Sequence, residues 1–123
     1  MSIMDKWNTG PFDNEEAAEL LDDIKEGAVP LKELLPTKGH RYLESDHGAL
    51  VVAMAHLAGG NLPEGISDDQ VAELQTPEAK DLLRQSLEAV LADGTVSGLY
   101  TEWQQEGEAK LHEWKAKSHI DLA

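Results

Sequence analysis

The chain contains no cysteine and few aromatic residues. With no cysteine among 123 residues, disulfide bonds, thiolate chemistry and cysteine-based zinc sites are excluded. Three tryptophans, two tyrosines and one phenylalanine are the whole aromatic set, so Leu, Val, Ile, Met and Ala must supply most of the core. The length fits one domain, which we expect to span residues 1–123.

Long apolar runs are also absent. The most apolar stretch, residues 49–58, is interrupted by His56 and is much shorter than the ~20 residues that a membrane-spanning helix needs. Residues 1–7 contain no apolar run of the kind found in signal peptides. These features predict a bacterial-type cytoplasmic protein that does not bind membranes.

Positive charge is scarce. Lys and Arg together number 10 against 24 Asp and Glu, which gives a formal net charge of −14. Phosphate backbones and anionic membranes are bound through Lys and Arg, so direct nucleic-acid and membrane binding are not predicted. The charge has three interpretations: it keeps the protein soluble, it recognises a basic protein partner, or it mimics nucleic acid.

Signals for helix starts occur along the chain. Asp13 is placed as an N-cap with Glu16 completing a capping box, and Phe12 is placed to pack on Ala17 as a hydrophobic staple. The helix that follows ends at Gly27. Its predicted buried face consists of Ala17, Leu20, Leu21 and Ile24.

The middle of the chain predicts the central helix. Ser45 is placed as its N-cap, residues 50–58 are apolar except for His56, and Gly59-Gly60 ends it. A helix that is apolar nearly all round belongs in the middle of a bundle. A shorter helix is also possible from Pro30 to Leu35.

Two further helices have explicit start signals. Ser67 to Gln70 forms a capping box that opens a short helix through Leu74. Thr76 is the N-cap of a longer helix that closes at Asp93-Gly94. Its predicted buried stripe is interrupted by Ser86 and consists of Ala79, Leu82, Leu83, Leu87, Val90 and Leu91.

The last helix is predicted to run without a break from about Val96 to Lys117. Trp103 and Trp114 are eleven residues apart, close to three turns, so both should face the core. Glu106 with Lys110 and Glu113 with Lys117 have the spacing of favourable ion pairs. The predicted stripe consists of Val96, Leu99, Tyr100, Trp103, Gly107, Leu111 and Trp114. The predicted fold is therefore all-α, a single-domain bundle of about five helices around a central apolar helix.

The segment Trp7-Asn8-Thr9-Gly10-Pro11-Phe12-Asp13-Asn14-Glu15-Glu16-Ala17-Ala18 resembles the opening of a bacterial family known only as domain of unknown function 4259. That opening has a Trp, two variable positions, a Gly, an aromatic near Asp or Asn, and an acidic amphipathic helix. The likeness continues at residues 49–58, 87–93 and 99–103, whereas Asn8 and Ser97-Gly98 depart from it. The resemblance implies a small helical domain with no established activity, so it supplies no catalytic residues.

Signatures of catalysis are missing. The sequence has no nucleophile elbow, phosphate loop or dinucleotide fingerprint, so we assign no catalytic residue and expect no cofactor. An alternative is a small metal-dependent hydrolase or metal-binding domain that uses histidine and carboxylate side chains. It would use His47 or His56 with nearby carboxylates. One set of ligands is Glu44, Asp46 or His47 with Asp22 or Asp23, although a capped helix start beside a solvated acidic face accounts for the same residues.

His56 also has two interpretations. Inside an apolar helix it is either a buried general base or a hydrogen-bonded structural residue. The residues leave open whether His47 or His56 has a role beyond structure.

The aromatics around the Gly-Pro turn suggest a partner-binding segment. Tryptophan anchors often dominate binding energy, but such a turn can equally fold back as a plug over the end of the bundle. We therefore predict a non-enzymatic protein-interaction domain with a basic protein as its partner. The candidate partner-binding residues are Trp7, Gly10, Pro11, Phe12, Asp13 and Asn14.

Overall fold

The computed structural model describes Phe12 and residues 15–27, 45–63, 65–92 and 98–120. These residues contain helices and no strand, and they form a single all-α domain, as predicted. The predicted Asp13 cap and the helix predicted from Pro30 to Leu35 lie outside the described residues. The elements are α1 (Glu15–Glu26), α2 (Ser45–Ala58), a 3₁₀ helix η1 (Asp68–Leu74), α3 (Pro77–Ala92), α4 (Gly98–Gln105) and α5 (Glu108–Ser118).

Helix α2 is the centre of the bundle, as its composition predicts. It packs against α1, η1, α3 and α4. From Ala49 to Ala58 every side chain is buried except Leu50, which is half-buried. Met54 and Leu57 are 1% and 0% exposed, and burying a side chain of this size stabilises the fold by about 1.5–3 kcal/mol.

A glycine near the start of α2 permits close packing with α4. A Cβ built on Gly48 would lie 3.2 Å from Leu99 Cβ and 3.8 Å from Val90 Cγ1. The distance to Leu99 is shorter than most real Cβ contacts, whereas the distance to Val90 is an ordinary contact, so a side chain here would press α4 away from α2.

Helix α1 covers α2 with the face that its periodicity predicts. Ala17, Leu20 and Ile24 are buried, and Leu21 is half-buried. Gly27 ends the helix at φ +71°, with its N–H 3.0 Å from the Ile24 carbonyl oxygen. Glycine is the residue that adopts this left-handed conformation without strain.

The two start signals at Ser67 and Thr76 are confirmed by their hydrogen bonds. The Ser67 N–H donates to Gln70 Oε1 at 2.8 Å, which is one half of the capping box. The Ala79 N–H donates to Thr76 Oγ1 at 3.1 Å, which caps α3. The segment opened by Ser67 is a 3₁₀ helix rather than an α-helix.

Helix α3 presents a narrower core face than predicted. Its buried residues are Ala79, Leu83, Leu87 and Val90. Leu82, Leu91 and Ser86 are half-buried along the edges of that stripe, so they border the core instead of filling it.

The prediction of one continuous helix from Val96 to Lys117 was wrong. The chain forms α4 and α5, separated at Gly107, which has φ +108° and ψ 158°. That backbone conformation is open almost only to glycine, so Gly107 is an exposed break and not a member of the buried stripe. Glu106 lies in the turn before α5, and the predicted Glu106–Lys110 pair is therefore not a helical pair.

The break brings the two tryptophans together. Trp103 and Trp114 are both 3% exposed, and their rings stack with centroids 6.2 Å apart and planes 17° apart. On one straight helix, eleven residues would separate them by about 16 Å along the axis. The Tyr100 ring meets Trp114 edge-on at 6.1 Å, and Lys115 Nζ lies 5.3 Å from the Tyr100 centroid. We call α4 and α5 together the C-terminal hairpin.

Candidate interaction surface

Phe12 is the one predicted partner-binding residue that the structure describes. Its side chain is half-buried, packs against the core, and meets the His56 ring edge-on at 6.1 Å between centroids. Trp7, Gly10, Pro11, Asp13 and Asn14 lie outside the described residues. The assignment of this segment to partner binding therefore stays a prediction.

His56 is buried in a polar contact near the end of α2. It is 5% exposed, and its Nε2 lies 2.8 Å from the carbonyl oxygen of Ser118 at the end of α5. Its Nδ1 lies 2.9 Å from Asn61 Nδ2. An amide NH₂ is a donor, so Nδ1 accepts, and the proton of the neutral ring is on Nε2, where it donates to the carbonyl.

The C-terminus of α2 positions Asn61 for this contact. Gly60 has φ +90°, its N–H bonds to the Leu57 carbonyl oxygen at 3.2 Å, and the Asn61 N–H bonds to the His56 carbonyl oxygen at 2.9 Å. This pair of bonds is a Schellman motif. His56 and Asn61 are thus joined through backbone and side chain alike. The sequence predicted Gly59-Gly60 as the helix end, but it did not assign a role to Asn61 or Ser118.

The surroundings favour the neutral form of His56. Burial lowers the pKa of His56 below the ordinary histidine value of 6.5, and the hydrogen bond to the Ser118 carbonyl opposes part of that effect. His119 lowers the pKa further through its charge. Both ring nitrogens form hydrogen bonds. This arrangement fits the interpretation of His56 as a hydrogen-bonded structural residue.

The residues of the proposed metal site do not form a group of ligands in the described part of the chain. Within it, no three His, Asp or Glu side chains are placed to hold a metal ion. His47 is exposed on α2, and Asp22 and Asp23 are exposed on α1. The side chains of Glu44 and Asp46 lie outside the description.

The clearest polar feature of the surface is a row of carboxylates on α1. Four exposed acidic residues follow the i, i+3, i+4, i+7 spacing of one helix face, opposite the buried face. Among the described residues, none of the four has an ion-pair or hydrogen-bond partner. We call this row the acidic stripe; it consists of Glu19, Asp22, Asp23 and Glu26.

Helix η1 is also acidic. It packs against α1 and adds Asp68, Asp69 and Glu73, all exposed. Together α1 and η1 contain nine acidic residues and one basic residue, Lys25. The Lys25 side chain lies along the loop before η1, with Cε 3.0 Å from the position that a Cβ on Gly65 would take.

Helices α3, α4 and α5 carry balanced charge by comparison. They contain six acidic residues against five Lys and Arg. Here opposite charges are paired along the helix: Arg84 with Asp81, and Lys117 Nζ with Glu113 Oε1 at 3.8 Å. The acidity is therefore concentrated on α1 and η1 and is not spread evenly over the helices.

Across the described residues, no helix has both the length and the apolar character needed to cross a membrane.

Comparisons with known proteins place the chain in a family. Searches among curated proteins and among solved structures found no significant match. The model of the family described as Domain of unknown function (DUF4259) matches residues 6–117. The chain therefore belongs to the domain of unknown function 4259 family.

Proposed function

We propose that the protein is a non-enzymatic interaction domain that binds a basic protein through the acidic stripe of α1. The observation that carries the proposal is four exposed carboxylates in one row, without a partner among the described residues. A row of charges of one sign is suited to steering a partner of opposite charge and to fixing its register. The cytoplasm is the proposed location.

The arrangement of the stripe supports a role beyond general solubility. Like charges at i, i+3 and i, i+4 destabilise a helix by about 0.2–0.5 kcal/mol per pair. The stripe contains four such pairs. The one base of α1, Lys25, is at i+3 from Asp22, but its side chain lies along Gly65. In α3 and α5 the same spacings join acids to bases, so this sequence uses stabilising pairs elsewhere.

The segment before α1 belongs to the proposed surface. Phe12 is half-buried against the core and stands three residues before α1 in the sequence, and the residues from Trp7 to Asn14 precede that helix. We propose that this segment adds apolar contacts next to the carboxylates. Interfaces commonly join an aromatic anchor to charged residues at the rim.

The proposal is tested by affinity capture with matched charge variants. The native protein, the triple variant E19Q/D22N/E26Q and the control triple variant E78Q/E88Q/E108Q are each immobilised and exposed to cytosolic extract at about 50 mM salt. All six substituted residues are exposed, and both variants change the net charge equally. Captured proteins are identified by mass spectrometry.

We expect the native protein and the control variant to retain the same basic partner, with a pI above about 9, and the α1 variant to lose it. Capture should also weaken as salt rises, because exposed charges are screened. Equal retention by all three proteins would contradict the proposal, since only net charge would then matter. So would the absence of any basic protein at low salt.

A further inference from the structure

The end of α5 is held to α2 by a buried contact between residues distant in sequence. Nε2 of His56 and the carbonyl oxygen of Ser118 are 62 positions apart along the chain and 2.8 Å apart in space. Ser118 is 0% exposed and His56 is 5% exposed. Helix α5 packs mainly on α4, so this bond is a direct connection between the last turn of α5 and the central helix.

The groups covering His56 come from both ends of the described chain. Phe12 meets the imidazole edge-on from the N-terminal side. From the C-terminal side, the Ser118 carbonyl oxygen bonds to Nε2; after the exposed His119, Ile120 is half-buried against the core.

Protonation would place an unbalanced charge inside this contact. A second proton can bind only at Nδ1, which faces the Asn61 NH₂, itself a donor. The described titratable group that acts on His56 is His119, and its positive charge opposes another one nearby. A buried cation without a counter-ion is costly, so exposing the ring to water becomes favourable.

We propose that His56 is a proton-sensitive latch: the neutral ring fastens the end of α5 to α2, and the protonated ring releases Ser118–Ile120 and Phe12 from the core. The latch is closed when the solution pH is well above the ordinary histidine pKa and opens as the pH falls below it. The direction follows because the ring binds a proton more readily in water than in the closed contact. The latch shares Phe12 with the proposed partner surface, but it requires no partner, so the isolated protein tests it separately from the proposed function.

The test is amide hydrogen exchange measured at pH 7.5 and pH 5, about 1 unit above and about 1.5 units below an unperturbed histidine pKa. After correction for the intrinsic pH dependence of exchange, the protection of the last turn of α5 should fall at least about fivefold at the lower pH. The reporter amide is that of His119, which bonds to the Lys115 carbonyl oxygen at 3.1 Å. Protection of α2 at Met54 should not change.

Three variants separate the latch from ordinary packing. H56Q keeps a donor for Ser118 but cannot titrate, so its α5 protection should not depend on pH. N61D supplies a carboxylate that accepts from protonated Nδ1, so it should also suppress the release, whether or not H56Q folds well. H112Q changes an exposed histidine of α5, and its α5 protection should fall at pH 5 as it does in the native protein.

Two results would overturn the latch. One is α5 protection that is equal at both pH values in the native protein. The other is release at low pH that persists in both H56Q and N61D.

Discussion

The acidic stripe and the C-terminal hairpin differ in charge and in burial. In the stripe, four carboxylates of one sign line an exposed face at spacings where like charges repel. In the hairpin, the tryptophans are buried against each other and Glu113 pairs with Lys117. The difference separates two tasks: the hairpin stabilises the fold, while the stripe lies outside the core and can change without unfolding it.

Of the predicted changes, loss of the Trp114 side chain from the C-terminal hairpin should lower the free energy of unfolding most. Trp114 is 3% exposed and touches the rings of Trp103 and Tyr100. Trp114→Ala should lower the free energy of unfolding by about 3–5 kcal/mol, because it leaves a cavity and removes two ring contacts. Urea denaturation measures the loss, and Trp114→Phe should lose clearly less. A loss below about 1 kcal/mol would show that the hairpin is not part of the stabilising core.

Gly107 tests whether the break between α4 and α5 is needed. A Cβ at this position meets nothing within 4 Å, so the effect of Gly107→Ala comes from its φ of +108° alone. We expect a loss of about 1–3 kcal/mol in the free energy of unfolding. The near-ultraviolet circular dichroism of the stacked tryptophans should weaken too. Unchanged stability together with an unchanged spectrum would mean that alanine accepts this backbone conformation.

Neutralising the acidic stripe should raise the free energy of unfolding, whereas the two hairpin changes lower it. E19Q/D22N/E26Q removes all four like-charge pairs along α1, so the free energy of unfolding should rise by about 0.8–2 kcal/mol. The matched variant E78Q/E88Q/E108Q should show no such gain, since Glu78 and Glu108 lie in first turns where acids are favourable. Urea midpoints at low salt report both. A loss of stability in the α1 variant would mean that the carboxylates hold the fold.

The smallest effect is expected at the exposed pair on α5. Lys117 Nζ and Glu113 Oε1 are 3.8 Å apart, and both side chains are about half exposed. Glu113→Gln should lower stability by no more than about 0.5 kcal/mol, because solvent and salt screen the pair. Thermal melts at low and high salt measure it. A loss above about 1 kcal/mol in the free energy of unfolding would contradict this prediction, because it would mean that the half-exposed Glu113 side chain is needed for the fold.

Most of the fold could be predicted because its signals are local. The Thr76 cap, the buried face of α1 and the all-round burial of α2 follow from residue spacing within single helices. Gly107 was misread because glycine is tolerated inside helices, and its positive φ comes from the way α5 folds back on α4. The stacking of Trp103 on Trp114 depends on that fold and was hidden for the same reason.

The candidate sites were less accessible to prediction. The His56 contact joins residues 62 positions apart, a distance at which a single sequence carries no pairing signal. The Gly59-Gly60-Asn61 run does carry the pattern of a Schellman motif, and it could have drawn attention to Asn61. The sequence predicts an acidic, solvent-exposed face on α1. Its contrast with the balanced charge of α3, α4 and α5 depends on comparing the helices with one another.

The most direct test of the account measures binding and stability on the same three proteins. The basic partner recovered by capture is titrated into the native protein, E19Q/D22N/E26Q and E78Q/E88Q/E108Q, and each protein is also unfolded in urea. The account predicts at least about tenfold weaker binding for the α1 variant with stability equal or higher, and near-native binding for the control. Equal weakening of binding in both variants, or weaker binding that merely accompanies unfolding of α1, would contradict it.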